Sequence, residues 1–136
     1  MSGGVLIVHG NTEARTGQCM RGGLIIVEGN AGRMTGAMMY GGEIIVCSDV
    51  MESTGEGMSG GVIYVGGEIR SLSEDAKRSP MSELDKNHLK EVFAKYDIKH
   101  NPEEFTKIIP NEDGPSARQW KKVIEESPVV YGGEVI

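Results

Sequence analysis

The feature that most constrains this chain is a sequence repeat with a period of 19 residues. The segments MSGGVLIV, MRGGLIIV, MYGGEIIV and MSGGVIYV begin at Met1, Met20, Met39 and Met58. Each copy therefore starts 19 residues after the one before, with no insertion between copies. A fixed period of this kind is typical of solenoid proteins, in which each repeat stacks on its neighbours and shares their core.

Each repeat holds one short apolar run that reads as a strand, and the remainder is rich in glycine and other turn residues. Of the 20 glycines in the chain, 17 lie between Gly3 and Gly67, so they belong to the repeat and not to a flexible linker. Glycine adopts the left-handed backbone of tight corners at little steric cost. One strand per 19 residues, with glycine corners, predicts a parallel β-helix of about four coils. The glycines predicted to be structural are Gly3, Gly4, Gly22, Gly23, Gly41, Gly42, Gly60, Gly61, Gly17, Gly36 and Gly55.

Equivalent residues of such a stack lie about 4.8 Å apart along its axis, so the repeat can be read in columns. The columns predicted to face the interior are Leu6, Ile25, Ile44, Ile63; Val8, Val27, Val46, Val65; and Met1, Met20, Met39, Met58. The columns predicted to face outward are Val5, Leu24, Glu43, Val62 and Ile7, Ile26, Ile45, Tyr64. This outward face is unusually apolar. Two interpretations stay open: the C-terminal half covers it, or it is an interface, at Ile7, Ile26, Ile45 and Tyr64, with another protein.

The second half of the chain has a different pattern, and all eight lysines lie in it, after residue 76. We therefore predict two regions, a parallel β-helix over 1–70 and an α-helical extension with a short terminal strand over 71–136. Ser82 and Asp85 resemble a capping box that opens a helix over 83–96. Asn101 and Pro102 predict a second, short helix. That helix would carry Phe105, Ile108 and Ile109 and end at Pro110.

Further on, Ser116 is a candidate cap for a third helix, which would carry Trp120, Val123 and Ile124. The last eight residues, from Val129 to Ile136, contain YGGEVI, which echoes YGGEII of the third coil. They lie outside the 19-residue phase. We interpret them as a final strand that is suited to an open sheet edge.

One column of the repeat places His9, Glu28 and Cys47 together. Such residues could form a metal-ligand cluster or a nucleophile site. The outer two would, however, be nearly 10 Å apart at a spacing of about 4.8 Å per coil. We therefore favour a chance alignment at a solvent-facing corner over an enzyme site.

A second polar column, Asn11, Asn30 and Asp49, predicts a hydrogen-bonded ladder. The alternative is a cation site at Asp49 and Glu52. The match to GxGxxG over 55–60 is part of the repeat. Because a strand and not a helix follows it, it does not predict a nucleotide site.

Charge and composition exclude several classes of partner. The formal net charge of −6 argues against nucleic acid, and no apolar run is long enough to cross a membrane. Without an export signal, Cys19 and Cys47 indicate reduced thiols in a cytoplasmic protein. The residues themselves identify no catalytic, cofactor-binding or metal-binding site.

The repeat, which runs as MxGG, an apolar strand, Gly-Asn and then Thr-Gly, resembles the GXGXG domain. The match is clearest from Gly22 through Gly32, then at Thr35-Gly36 and at Met39 to Gly42. The family includes the C-terminal domain of the large subunit of glutamate synthase and one of the subunits of formylmethanofuran dehydrogenase. The segment from Gly61 to Ile98 is also similar to the tail of stand-alone proteins that correspond to this glutamate synthase domain. The resemblance implies a right-handed parallel β-helix that acts as a scaffold and not as a catalyst.

The resemblance also implies partners: an amidotransferase subunit and a synthase subunit that holds FMN and an iron–sulfur cluster, with no cofactor on this chain. The alternative is the corresponding scaffold in a formylmethanofuran dehydrogenase-type complex. The chain departs from the family in having few coils and in beginning inside one. An open first coil also predicts a self-assembling homo-oligomer.

Overall fold

The computed structural model of the chain describes residues 1–126, 130–131 and 134–135. Four parallel strands lie side by side in one sheet. They are β1 (Val5–Val8), β2 (Leu24–Val27), β3 (Glu43–Val46) and β4 (Val62–Val65). Because four stacked strands delimit three complete windings, the fold is a β-solenoid of about three turns. The prediction of a mainly β, parallel β-helix fold is confirmed.

The pairing of these strands keeps the period of the sequence without slippage. Val5 lies beside Leu24, Leu24 beside Glu43, and Glu43 beside Val62. A register error of one residue would move every core side chain to the opposite face, so the fixed period is a physical requirement of the stack.

The interior columns are those that the repeat predicted. Met20, Ile44, Val46 and their equivalents form one buried cluster along the axis of the solenoid. The first coil differs, since Met1 is 40% and Leu6 51% exposed. These two residues have the core pattern of the repeat, and the described residues place no coil on their outer side.

In the second, third and fourth coils, the glycine pair that precedes the strand has two separate functions. The second glycine, for example Gly42 with φ of 89°, has a left-handed backbone. The first lies against the coil below, since a Cβ on Gly41 would come within 2.5 Å of the Arg21 carbonyl oxygen. Both positions therefore exclude larger residues, for different reasons.

Left-handed residues that are not glycine also recur with the period of 19. Arg15, Met34 and Ser53 have φ of 63°, 59° and 59°. Cys19 and Met38 form a second such set, with φ of 57° and 54°, and Gly57 takes the same place in the next coil. Their residue types gave no sign of this backbone, so the sequence predicted only the glycine corners.

The C-terminal extension is a mixture of strands and helices. It contains β5 (Ala76–Ser79), α1 (Glu83–Lys95), a 3-10 helix (Pro102–Glu104), β6 (Thr106–Pro110) and α2 (Pro115–Glu126). The sheet order is β1-β2-β3-β4-β6-β5, and β6 runs antiparallel to both neighbours. The extension therefore adds two strands to the sheet of the solenoid.

The predicted helix through Phe105, Ile108 and Ile109 is wrong. Asn101 does cap a helix that begins at Pro102, but only a 3-10 turn forms and it ends at Glu104. Thr106–Pro110 is strand β6, because pairing with β4 buries Ile108 completely in the solenoid core. Tertiary pairing has overridden a local helical pattern that was only a few residues long.

Helix α1 begins as predicted, with a capping box between Ser82 and Asp85. Helix α2 forms as well, but Ser116 lies inside it and not at its cap. Of the predicted final strand, the described residues form β7 (Val130–Tyr131) and β8 (Glu134–Val135), which pair antiparallel with each other. The segment therefore forms a two-stranded sheet of its own in place of a single strand.

The apolar outward face is covered by the chain's own extension. Ile26 and Ile45 are fully buried and Tyr64 is 3% exposed, in one cluster with Leu89 and Phe93 of α1. Ile7, in the first coil, is only partly buried against it. Of the four positions weighed as an interface with another protein, three are thus packed within this chain, because α1 lies over β2, β3 and β4. We call this contact the α1 seam.

Candidate functional site

The column of His9, Glu28 and Cys47 does not come together as one site. His9 Nδ1 lies 2.7 Å from Glu28 Oε1 at the surface. Cys47 is instead buried in the α1 seam. Burial, assisted by the negative charge of Glu28, raises the pKa of the Cys47 thiol to about 11. The thiol is thus protonated at neutral pH and a poor nucleophile. The prediction of a solvent-facing corner is correct for His9 and Glu28 but wrong for Cys47, because the extension covers the third coil.

The polar column of Asn11, Asn30 and Asp49 forms a ladder of a particular kind. The Asn11 side-chain oxygen accepts from the backbone N–H of Asn30 at 2.8 Å, and that of Asn30 accepts from Asp49 at 2.9 Å. Asp49 continues the ladder to the N–H of Glu68 at 2.8 Å. Each side chain thus binds the backbone of the next coil, and not the next side chain.

The alternative cation site at Asp49 and Glu52 is not assembled in this geometry. Asp49 Oδ1 is engaged with the Glu68 N–H, and Glu52 Oε1 lies 3.2 Å from Arg70 Nη1. Over the residues that the structure describes, no group of three His, Cys, Asp or Glu side chains is placed to hold a metal ion.

A polar cluster that the sequence did not predict lies at the edge of the α1 seam. Tyr64 and Lys107 are direct neighbours on β4 and β6, so both side chains reach Asp85 at the start of α1. The Tyr64 hydroxyl donates to Asp85 Oδ1 at 3.0 Å. Lys107 Nζ lies 3.0 and 3.1 Å from the two carboxylate oxygens. We call this set the Asp85 cluster.

The charges in the Asp85 cluster are fixed by these contacts. Burial opposes ionisation of Asp85, but hydrogen bonds from Ser82, Lys107 and Tyr64 outweigh it and hold the pKa of the carboxyl well below its usual range. Burial, the bond to Asp85 and the nearby negative charges raise the pKa of Tyr64 well above its usual value. An acid that is ionised and a phenol that is protonated across the neutral range are unsuited to proton transfer near neutral pH. The arrangement is therefore suited to attaching α1 to the solenoid.

A second polar contact lies across the same seam. His88 Nε2 is 2.8 and 2.9 Å from the two carboxylate oxygens of Glu43. Glu43 is the one charged residue in the outward columns of the repeat. Its place opposite His88 explains why a carboxylate interrupts an otherwise apolar face. The sequence alone did not identify His88 as the partner of Glu43.

A cavity of about 840 Å³ lies between a corner of the solenoid and the first turns of α2. Met38, Tyr40, Met58 and Ala117 give it a mainly apolar lining. The Arg21 guanidinium lies over the Tyr40 ring in a cation–π contact, 5.6 Å from the ring centroid. Met38 and Tyr40 are 45% and 49% exposed, so the cavity opens widely to solvent.

The first coil is the other exposed apolar region. Val5 and Leu6 are 48% and 51% exposed, whereas Ile25, the equivalent of Leu6 in the next coil, is 4% exposed. β1 pairs on one side with β2 and, among the described strands, has no partner on the other. Within the described residues, the first coil thus has core-type side chains that are exposed on the side away from β2.

Comparison of the chain with protein-family models, with curated proteins and with solved structures found no match. Among the described residues, no helix is both long enough and apolar enough to span a lipid bilayer. Among the described residues, the exposed apolar positions lie in the first coil and around the apolar cavity, while the clustered polar groups lie in structural contacts.

Proposed function

We propose that this chain is a non-catalytic scaffold subunit of a glutamate-synthase-like complex, an assembly of amidotransferase and flavin oxidoreductase subunits. The observation that carries the proposal is the 19-residue glycine repeat, which resembles the GXGXG domain and folds as a continuous coil stack. A scaffold needs surfaces at fixed separation, and a solenoid with bonded neighbouring coils supplies them.

The chemistry of the described side chains supports a structural role. Cys47 is buried with a raised pKa, and Asp85 is held ionised by donors from three residues. His88 is paired with Glu43 across the seam. These groups are of types that enzymes use, but their contacts attach the extension to the solenoid.

The proposed mechanism is positional. Each coil donates backbone hydrogen bonds to its neighbours at spacings such as 2.9 Å from the Leu24 N–H to the Gly4 carbonyl oxygen. Such a stack resists bending, so it holds partner active sites at a set distance and shapes the path between them. The amidotransferase site, FMN and the iron–sulfur cluster belong to the partner subunits in this proposal.

Purification of the native protein with its neighbours tests the proposal. We expect an amidotransferase and a flavin- and iron–sulfur-containing protein to be recovered with it, identified by mass spectrometry and by the absorbance of the cofactors. Recovery with a molybdopterin- or tungsten-containing enzyme would instead favour the formylmethanofuran dehydrogenase-type scaffold. Recovery of the chain without any such partner would contradict both proposals.

A variant with one additional coil tests the positional mechanism. A second copy of residues 20–38 inserted after Met38 adds one 19-residue period, which lengthens the stack by about 4.8 Å. In the reconstituted complex, we expect the separate activities of the two partners to persist and their coupling to fall. Unchanged coupling with the longer chain would contradict a role in setting distance.

A single alanine inserted after Met38 is the matched control for folding. It breaks the register instead of extending it, because the side chains of the following coil are shifted by one residue and change face. We expect this variant to lose the cooperative unfolding transition that the coil-duplicated variant keeps. Circular dichroism with temperature distinguishes the two.

A further inference from the structure

The apolar cavity between the solenoid corner and α2 has the dimensions of a small-molecule site. Its volume is about 840 Å³. Ligand sites in proteins are concave, mostly apolar spaces of about 300–1,000 Å³, in which a few polar groups fix the orientation of the ligand. Here Met38, Tyr40 and Met58 supply apolar surface, and Gln119 and Lys121 are among the polar lining residues. Size and composition therefore both fit a ligand site.

A missing side chain leaves room for the cavity. Gly57 ends the third coil at the position that Cys19 and Met38 take in the first and second coils. All three have a left-handed backbone, with φ of 57° at Cys19, 54° at Met38 and 68° at Gly57, so this corner accepts a side chain. A Cβ on Gly57 would come within 2.5 Å of the Met38 Sδ. The Met38 thioether thus lies across the bare Gly57 backbone and forms the floor of the cavity.

One buried carboxylate holds both sides of the cavity. The two oxygens of Asp75 accept from the backbone N–H groups of Gly57, in the floor, and Ser116, in the opposite wall, each at 2.9 Å. Asn111, a third lining residue, donates its backbone N–H to the Asp75 carbonyl oxygen at 2.9 Å. Because floor and wall are attached to the same residue, the cavity is preformed and a ligand does not have to assemble it.

The apolar surface of the cavity favours an aromatic ligand. The Tyr40 ring is held by its cation–π contact with Arg21, which lies outside the lining. Thioether sulfurs make favourable contacts with aromatic rings, and aromatic rings pair with one another in offset or edge-to-face geometry. Met38, Met58 and Tyr40 together therefore suit a flat aromatic body better than an alkyl chain.

The charges of the lining favour an anion. Glu112 Oε1 lies 3.6 Å from Lys77 Nζ, so the carboxylate of the lining has a cation of its own. Lys121 Nζ donates to the Glu112 backbone carbonyl at 3.2 Å and forms no ion pair with any described residue. A carboxylate on the ligand would give this ammonium a charge-assisted hydrogen bond.

We propose that this cavity binds a small aromatic carboxylate, with the ring against Tyr40 and the Met38 and Met58 thioethers and the carboxylate at Lys121. Different residues recognise the two parts of the ligand, so each part has its own test. The site does not depend on the scaffold role. Recovery of the chain without partner enzymes would contradict the proposed function and leave the site intact, and failure to bind the ligand would do the reverse.

Calorimetric titration of the 136-residue chain with naphthoate tests the site. We expect saturable binding of one molecule per chain, and weaker binding of naphthalenemethanol, which is neutral, and of decanoate, which is aliphatic. Decanoate that binds as tightly as naphthoate would contradict the aromatic part of the proposal. Naphthalenemethanol that binds as tightly would contradict the anionic part, and a lack of saturable naphthoate binding would overturn the site.

The role of Lys121 is tested by Lys121→Gln. We expect naphthoate to bind about two- to fivefold more weakly, as for loss of a solvent-accessible ion pair, and naphthalenemethanol to bind as before. Lys90→Gln is the matched control, because Lys90 is exposed on α1 and its loss changes the net charge equally. Equal weakening by both variants would show a general effect of charge and would overturn the placement of the carboxylate.

The position of the ring is tested by filling the cavity. Ala117→Phe places a side chain in the cavity and should abolish binding, whereas Ala94→Phe, at an exposed position of α1, should not. Methionine methyl NMR of the wild type decides the question if Ala117→Phe disturbs α2. Naphthoate should shift the signals of Met38 and Met58 and leave that of Met81, which packs in the α1 seam, unchanged. A shift at Met81 without one at Met38 would overturn the proposal.

Discussion

Asp75 Oδ2 accepts a hydrogen bond from the backbone N–H of Gly57 at 2.9 Å, at the place where the stack would otherwise continue. One coil earlier, the N–H of Met38 donates to the carbonyl of Glu56 at 2.7 Å. Asp75 lies 19 residues after Glu56, so its side chain takes the place of that carbonyl. Its other oxygen accepts from the N–H of Ser116 at 2.9 Å, which fixes the first turn of α2. Asp75 thus closes the solenoid and anchors the next helix.

Replacing Asp75 should destabilise the protein. In Asp75→Asn, one of the two acceptor oxygens becomes an NH₂ group that faces a backbone N–H, so a buried donor loses its partner. We expect a loss of about 1–3 kcal/mol in the free energy of unfolding, measured with urea. Glu74→Gln is the control, because Glu74 is an exposed neighbour. Equal stability of the two variants would contradict the capping role of Asp75.

The Asp85 cluster should contribute strongly to the α1 seam. Asp85→Ala removes the capping box and leaves the Tyr64 hydroxyl and Lys107 ammonium without their shared acceptor. We expect a cost of about 2–4 kcal/mol, against about 1 kcal/mol for Tyr64→Phe, which leaves Asp85 with its other donors. Glu91→Ala, at an exposed position of α1, is the control. A cost for Asp85→Ala no greater than that of the control would show that the cluster does not hold the helix.

The depressed pKa values of Asp75 and Asp85 predict loss of stability in acid. Each carboxyl binds a proton more weakly in the folded than in the unfolded chain. The stabilisation is therefore complete above the ordinary value of 3.8 and is lost as the pH falls below it. We expect the free energy of unfolding to fall over this acidic range in the wild type and to fall less steeply in Asp85→Asn. Identical slopes for the two proteins would contradict the assignment.

The two cysteines should differ in reactivity. Cys19 is exposed, whereas Cys47 is buried and has its pKa raised to about 11. At neutral pH, we expect a disulfide reagent to modify one thiol per chain rapidly and the second only when the protein unfolds. In Cys19→Ser, the rapid phase should disappear.

Because Cys47 lies in the α1 seam, its rate of modification also reports how often the seam opens. Asp85→Ala should therefore accelerate the slow phase while leaving the rapid phase unchanged. Rapid reaction of both thiols in the wild type would show that α1 does not stay docked.

The repeat was predictable because every copy carries the same local information. Strand positions, inward columns and glycine corners follow from a period that four segments share, and the register of Leu24 beside Glu43 agrees with it. The left-handed residues Arg15 and Met34 were not predictable, since their types do not favour that backbone and only the stacked coil imposes it.

The extension was less predictable because its elements depend on distant partners. Phe105 and Ile108 have a spacing that fits a helix, yet pairing with β4 makes the segment a strand. The Asp85 cluster joins residues 21 and 22 positions apart through that same pairing. A capping box identified Asp85, but nothing local could show that Tyr64 and Lys107 would reach it.

The described strands at the two ends of the stack differ in their number of partners, so we expect the stack to unfold from one end first. Within the ladder of the sheet, each coil bonds only to the coils beside it, so loss of structure propagates along one dimension. The end closed by Asp75 and β6 has partners on both sides, while β1 has one. Amide hydrogens of a single chain should accordingly exchange with solvent first in the coil that contains Val5 and last in the coil that contains Ile63.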